Sequence, residues 1–360
     1  MPLSQFFNNL WDNIKQSPTF VPTYIEFSAN QTDEPALFST KFDDRRHYFM
    51  VSVSEMFLSY NRLWHQNFSP MVFSVCNFKY NGETLEIPYI IGPSHLKKFE
   101  QRLPKGMLFL NTPVVGVHPW RGGNLSLSII LCRVKETNNI EKVLSVVEDV
   151  SNSLDFSAGL ESYTKVGRVV LKGFDSLLGF EQTSPLLGIN NNFGQASGNP
   201  FRPGYYALVQ GENLDKNKFW VKNKRLCYGD SLDTAQSYRD DDFVLFRIGI
   251  SEDRKDEESL SFYKQYTSIY EYIRNQSELS ENQLLNLKSR LRQLAVDIRL
   301  SPDLTTLQAD RIWKEKKEEI ESFVDMLTKL DGSDEEIRIK SMKMDPIDQI
   351  MDEAAGQLNF

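Results

Sequence analysis

Cysteine is scarce in this sequence: Cys76, Cys132 and Cys227 are the three thiols of a 360-residue chain. Their odd number, wide separation and apolar surroundings argue against a disulfide framework, and no Cys-x-x-Cys or Cys/His spacing of a zinc site occurs. Buried, reduced thiols are the expectation, which points to a reducing, cytoplasmic setting. Histidine is nearly as sparse, with four residues, His47, His65, His95 and His118. No Gly-x-Ser-x-Gly elbow is present, so a nucleophile with a histidine base has no motif behind it. Phosphate-cradling signatures are missing as well: there is no Gly-x-x-x-x-Gly-Lys-Ser/Thr, and no Gly-x-Gly-x-x-Gly follows a strand. No catalytic, cofactor-binding or metal-ligating residue is therefore assigned, and no cofactor is expected.

Long hydrophobic runs are also lacking. Apolar segments such as 114–117 and 129–131 fall far short of the roughly 18 residues a spanning helix needs. The opening MPLSQFFNNLWDNIKQSP has no basic region, apolar core or small-residue cleavage site, so a secretory signal is not expected. Positive charge is in deficit, with 41 Lys and Arg against 49 Asp and Glu and a net charge of −8. Nucleic-acid partners need concentrated cations to displace counterions, so they are not expected, although an acidic chain can still carry a local basic patch.

What remains is ordinary globular composition, 40% hydrophobic and 25% charged, in a chain long enough for two or three cores. Its aromatic share of 12% suits strands, where flat rings pack on a pleated surface. Residues 1–18 carry Leu3, Phe6, Phe7, Leu10, Trp11 and Ile14 at helical spacing before Pro18 and Pro22 interrupt it. A β-rich body is expected over 19–252. Its clearest piece is a hairpin around Asn81-Gly82, the preferred two-residue type I′ turn. That turn fixes a register pairing Phe78 with Leu85 and Cys76 with Ile87, while Pro88 confines the second strand to an edge or a bulge. Further strands are expected at 24–28, 47–58, 108–117 and 125–133, and again at 205–210, 219–221, 225–228 and 243–250. The later group is expected to complete the first sheet. Apolar stripes over about 138–180 predict an inserted helical pair, in which Gly167 and Gly173 call for close packing. Residues 182–204 read as a long loop rich in Asn, Gly, Ser and Pro.

From 253 to 330 the pattern turns helical, with helices predicted at 258–275, 281–300 and 302–330. Ser301 is the expected cap of the last, with Pro302 at its first position and Asp303 on its positive end. The fold class is thus α+β: an antiparallel, sandwich-like β-rich body with an inserted helical pair, then an antiparallel helical region and an acidic tail over 331–360. In that tail Ile347, Ile350 and Met351 share one helical face beyond Asp345-Pro346, and Leu358 and Phe360 extend the apolar character.

Two polar groups have the make-up of candidate sites. Asp230, Asp233 and Arg239-Asp240-Asp241-Asp242 could surround calcium, but a solvated loop capped by its own arginine is the simpler reading. Gly122-Gly123 beside Arg121 reads as a plain turn. The expectation is a non-catalytic protein–protein interaction or scaffold module of an intracellular complex. Its partner is another protein docked by Ile347, Ile350, Met351, Leu358 and Phe360, with room for a homo-oligomer and no integral membrane association. The alternatives are an enzyme with its site near 182–204, and a peripheral membrane or calcium-responsive module.

Overall fold

The computed structural model describes residues 22–59, 62–63, 66–92, 107–135, 183–194, 200–211, 214–276 and 280–330, with isolated positions at 12, 137, 146–147, 167, 169–170 and 172–173. The N-terminal helix expected over 1–18, nearly all of the helical pair over 138–180 and the tail over 331–360 lie outside the described residues. The chain divides into two compact units, Met1–Glu252 and Asp253–Phe360.

In the first unit, β1 (Pro22–Glu26), β2 (Tyr48–Phe57), β6 (Met107–Pro119), β9 (Gly204–Gln210) and β13 (Phe243–Ser251) form a five-stranded antiparallel sheet in the order β1-β9-β13-β2-β6. Of the later strands expected to complete the first sheet, β9 and β13 do, whereas those at 219–222 and 225–228 belong to a separate small sheet. A second sheet runs β3 (Arg62–Leu63), β4 (Gln66–Tyr80), β7 (Leu125–Lys135) and β8 (Thr183–Phe193), with β5 (Glu83–Ile91) also on β4. Asn81 and Gly82 both take positive φ, and the hairpin has the register its turn dictates: Phe78 opposite Leu85, Cys76 opposite Ile87. β5 is an edge strand, so the missing N–H of Pro88 leaves no ladder bond unmade.

The first sheet is buried on both faces. Along β9 and β13, Tyr206, Leu208, Val244 and Phe246 enter a core shared with Val72 and Cys76 of β4 and Ile129 and Leu131 of β7. The alternate residues Tyr205, Ala207, Val209, Phe243 and Leu245 enter a second core. That core is closed by a three-stranded sheet of β10 (Phe219–Lys222), β11 (Arg225–Tyr228) and β12 (Gln236–Ser237). Strands that bury both faces read as nearly continuous apolar runs, as in Phe243-Val-Leu-Phe.

Residues 183–193 correct the sequence reading, because they form β8 and not a loop. Pro185, Gly188 and Asn190-Asn191-Asn192 disguise the strand, but among the described residues β8 pairs only with β7, so proline is tolerated there. A register shift between Leu131 and Cys132 accommodates the additional Leu186, and Leu186, Leu187 and Phe193 join the core. The few described positions of the 138–180 stretch are helical, and a Cβ on Gly173 would overlap Val147, so glycine there permits a close approach.

The second unit packs α1 (Ser261–Arg274), α2 (Glu281–Arg299) and α3 (Thr306–Leu330) around Ile269, Ile273, Leu291, Leu294, Ile298 and Ile312. Tyr266 bonds Glu319 and Tyr270 stacks on Phe323, so α1 and α3 run in the same sense. Ser280 caps α2, with Gln283 returning the bond to the Ser280 N–H at 2.8 Å.

The start of α3 differs from expectation. Its first turn is held by Thr305, whose Oγ1 accepts from the Gln308 N–H at 3.3 Å, four residues beyond Ser301. Asp303 is drawn instead to the buried Arg254, whose guanidinium donates to the Asp303 carbonyl at 3.3 Å and to Asp256 at 2.6 and 2.7 Å. Gln308 pairs with both the N–H and the carbonyl of Arg254, at 3.1 and 2.8 Å. No described helix is long and apolar enough to cross a membrane.

Gly82 isolates a backbone effect, because a Cβ there meets nothing within 4 Å while φ is +79°. Gly82→Ala is expected to lower the unfolding free energy by about 1–2 kcal/mol in urea titration with an unchanged m-value. A neutral result would show that the hairpin turn adapts.

Candidate functional site

Beyond their shared core, one buried carboxylate links the three-stranded sheet to the first sheet. β2 pairs Leu245 with Glu55 and Phe246 with Val53, so Ser54 is an extra residue in β2. Before the bulge Val51 and Val53 face the core shared by the two large sheets; after it Met56 does, and Glu55 is turned to the opposite side. Bulges re-aim side chains in this way. Glu55, 0% exposed, accepts from the Leu226 N–H of β11 at 2.8 Å and from Arg239 Nη2 at 2.8 Å. Arg239 also donates to the Tyr238 carbonyl, and the Tyr238 N–H returns to the Leu226 carbonyl at 2.9 Å. The guanidinium lies 5.2 Å from the Phe57 ring centre and 5.9 Å from that of Phe243. Burial pushes the Glu55 carboxyl above the usual carboxylate range, and the Arg239 charge and the Leu226 N–H pull it only partly back.

This overturns the expectation of a solvated acidic loop capped by its own arginine. Arg239 turns inward to Glu55. Asp242 is buried and accepts from the Ser59 N–H and hydroxyl at 2.7 and 2.8 Å, and Asp241 accepts from the Tyr238 hydroxyl. Among the described residues no group of three or more His, Cys, Asp or Glu is placed to hold a metal ion.

The face of the small sheet away from its core carries the other candidate. The pairings Trp220 with Cys227, Lys222 with Arg225 and Cys227 with Ser237 put these five residues on one side, since directly opposed residues share a face. A cleft of about 570 Å³ opens over Lys222, Arg225, Cys227 and Ser237, with Asn223, Asp233 and Gln236 at its walls. The 229–235 connection that bounds it is pinned by Trp220 Nε1 on the Gly229 carbonyl at 2.9 Å and by a Lys218–Asp230 pair at 3.0 Å. Lys222 Nζ reaches the Asp233 carbonyl at 3.3 Å. The arrangement is open and polar, suited to holding a chain segment or a charged group against the sheet.

The remaining sequence candidates resolve as follows. All three thiols are buried and unpaired in disulfides. Burial drives Cys76 and Cys132 far above the ordinary thiol range, and burial followed by the Glu55 charge raises Cys227, so thiolate formation is suppressed at each. His118 is packed among Phe78, Phe49 and Tyr80, with the Phe78 ring centre 4.8 Å away. His47 Nδ1 accepts from the Asp43 N–H at 2.9 Å, and His65 and His95 lie outside the described residues. Gly122 and Gly123 form the β6–β7 turn with positive φ. Ile347, Ile350, Met351, Leu358 and Phe360 lie outside the described residues. Glu55 and the cleft cations were missed by the sequence reading. The Lys222-Asn-Lys-Arg225 run was the available signal for the latter.

Glu55→Ala is expected to cost about 3–5 kcal/mol in urea unfolding near neutral pH, because it strands the Arg239 guanidinium and the Leu226 N–H. The pH dependence has a definite sign. A folded-state pKa raised by burial gives a contribution complete below the ordinary glutamate range and lost as pH rises through the elevated folded value. The stability advantage of the wild type over Glu55→Gln should therefore shrink as pH rises above the ordinary glutamate range. An advantage that grows as pH rises would mean that the Arg239 charge outweighs burial.

No protein-family model matches the chain, and no curated protein sequence matches it.

Proposed function

We propose that the chain is a non-catalytic protein–protein interaction module working in the cytoplasm. The observation that carries this reading is the open, polar cleft on the outer face of the three-stranded sheet. Its lysine and arginine side chains stand over a rigid floor, which is the make-up of a surface that receives another chain. The buried ionisable and sulfur groups support the same reading, since Glu55, Arg239, Asp242 and the three thiols are engaged in packing and bracing. We take the two five-stranded sheets to face each other as a sandwich-like body around their common core. Such a body is a rigid support for docking surfaces.

The segment 344–360 is proposed as a second docking element. Ile347, Ile350 and Met351 would anchor it in a partner's groove, with Leu358 and Phe360 extending the contact. A helix of that length is marginal alone in water, so its apolar face has reason to seek a partner.

Affinity purification of the full chain with quantitative mass spectrometry is expected to recover a protein partner at near-stoichiometric yield. Deleting 344–360 should lose that partner and leave the thermal transition of the body nearly unchanged. A deletion that destabilises the protein and keeps the partner would make the segment structural.

A further inference from the structure

The hairpin of β10 and β11 concentrates positive charge on an acidic chain. Residues 216–225 contain five cations, Lys216, Lys218, Lys222, Lys224 and Arg225, and no acidic residue, in a protein of net charge −8. Lys218 is answered by Asp230. Lys222 donates to the Asp233 carbonyl, and neither Lys222 nor Lys224 has an ion-pair partner among the described residues. Lys222 and Arg225 are directly opposed, so their side chains leave the sheet together on the cleft face.

The turn between these strands adds an independent observation. Asn223 and Lys224 have φ of +52° and +61°, the left-handed conformation of a type I′ turn. Its second position favours glycine, as Gly82 fills it in the other hairpin. Lysine there is conformationally unfavourable. The turn is braced from below, where the Asn223 N–H donates to Asp33 at 2.6 Å. The two edges of the small sheet differ. The β10 edge is closed by the Asp33 N–H on the Val221 carbonyl at 3.3 Å and by Gln31 Nε2 on the Phe219 carbonyl at 3.1 Å. On the β12 side Gln236 and Ser237 are exposed beside the cleft.

We propose that this cleft binds an extended acidic segment of a partner protein. Its carboxylates meet Lys222 and Arg225 in the cleft and Lys224 of the adjoining turn, and its backbone amides meet Asn223, Gln236 and Ser237. The proposal rests on the interaction-module reading and names the chemistry of the partner at that site. A volume of about 570 Å³ admits several residues of a peptide rather than one small anion. Charge complementarity of this kind sets association rate and specificity and weakens with salt.

The test uses the full chain with a labelled Glu-rich peptide, its Gln-substituted counterpart and a phosphoserine peptide of equal length. Fluorescence anisotropy should show binding of the Glu-rich peptide that falls with added salt, and none of the Gln counterpart. The double variant Lys222→Glu/Lys224→Glu should weaken binding by about tenfold or more, while Lys314→Glu, on an exposed position of α3, should not change it. Lys224→Gly is the guard against misfolding, since it relieves the turn. It should raise the thermal midpoint and still lower affinity. Equal binding of the Gln counterpart, no binding at low salt, or binding of the phosphoserine peptide alone would each overturn the proposal. Should the peptide fail while a partner still co-purifies with the full chain, the cleft assignment falls and the module reading stands. Should the peptide bind with no partner recovered, the reverse holds.

Discussion

The Glu55–Arg239 pair is the constraint on which the first unit depends. A carboxylate with no solvent exposure is costly to ionise, and its attraction to a guanidinium offsets that cost only when the other lone pairs are also engaged. Here they are: one oxygen takes Arg239, the other takes the backbone N–H of Leu226. The Leu226 N–H lies where β12 has ended, so without Glu55 a strand edge would be buried with an unmet donor. The carboxylate thus does for β11 what another strand would do. Arg239 closes the ring through the Tyr238 carbonyl and roofs Phe57 and Phe243. A pair of this kind contributes less to net stability than to specifying one arrangement of the two sheets.

The bulge at Ser54 makes the pair possible. A strand of strict alternation would place position 55 with Val51 and Val53, in the core between the large sheets, where a carboxylate would find no cation. One extra residue inverts the pattern, so β2 supplies aliphatic side chains to one core and a charged strut to the other. The first sheet is buried on both faces because of this division, and the small sheet has only one face left to present outward. That face is where Trp220, Lys222, Arg225 and Ser237 stand.

Much of the fold was legible because local chemistry dictated it. Asn81-Gly82 fixed a turn, a register and an edge strand together, and the stripe Leu287, Leu291, Leu294 and Ile298 marked the buried side of α2. Failures came where tertiary context overrode local preference. β8 carries the composition of a loop and is a strand because β7 supplies its ladder. Ser301-Pro302-Asp303 carries the signature of a helix start, but Arg254, distant in sequence, claims Asp303 and leaves capping to Thr305. The site failed for the same reason. Glu55 and Arg239 are 184 positions apart, and nothing in either neighbourhood announces the other. Arg239 was read with the aspartates beside it, although its partner lies across the core.

The contrast between inward and outward charges gives the outer face its meaning. Ion pairs along α3, such as Lys314 with Glu318 at 4.0 Å, join well-hydrated side chains and add little to stability. They balance one sign against the other and leave no net field. The Lys222-Asn-Lys-Arg225 hairpin does the opposite, placing like charges together in a turn where a lysine must take a left-handed backbone. The left-handed backbone at Lys224 opposes the choice of lysine there. What it yields is a local positive field on a negative protein, fixed to the core through Phe219, Val221 and Leu226 and held there by Glu55. Under the proposed docking, cations borne on a packed sheet would lose less entropy when an opposite charge arrives than cations on a free loop.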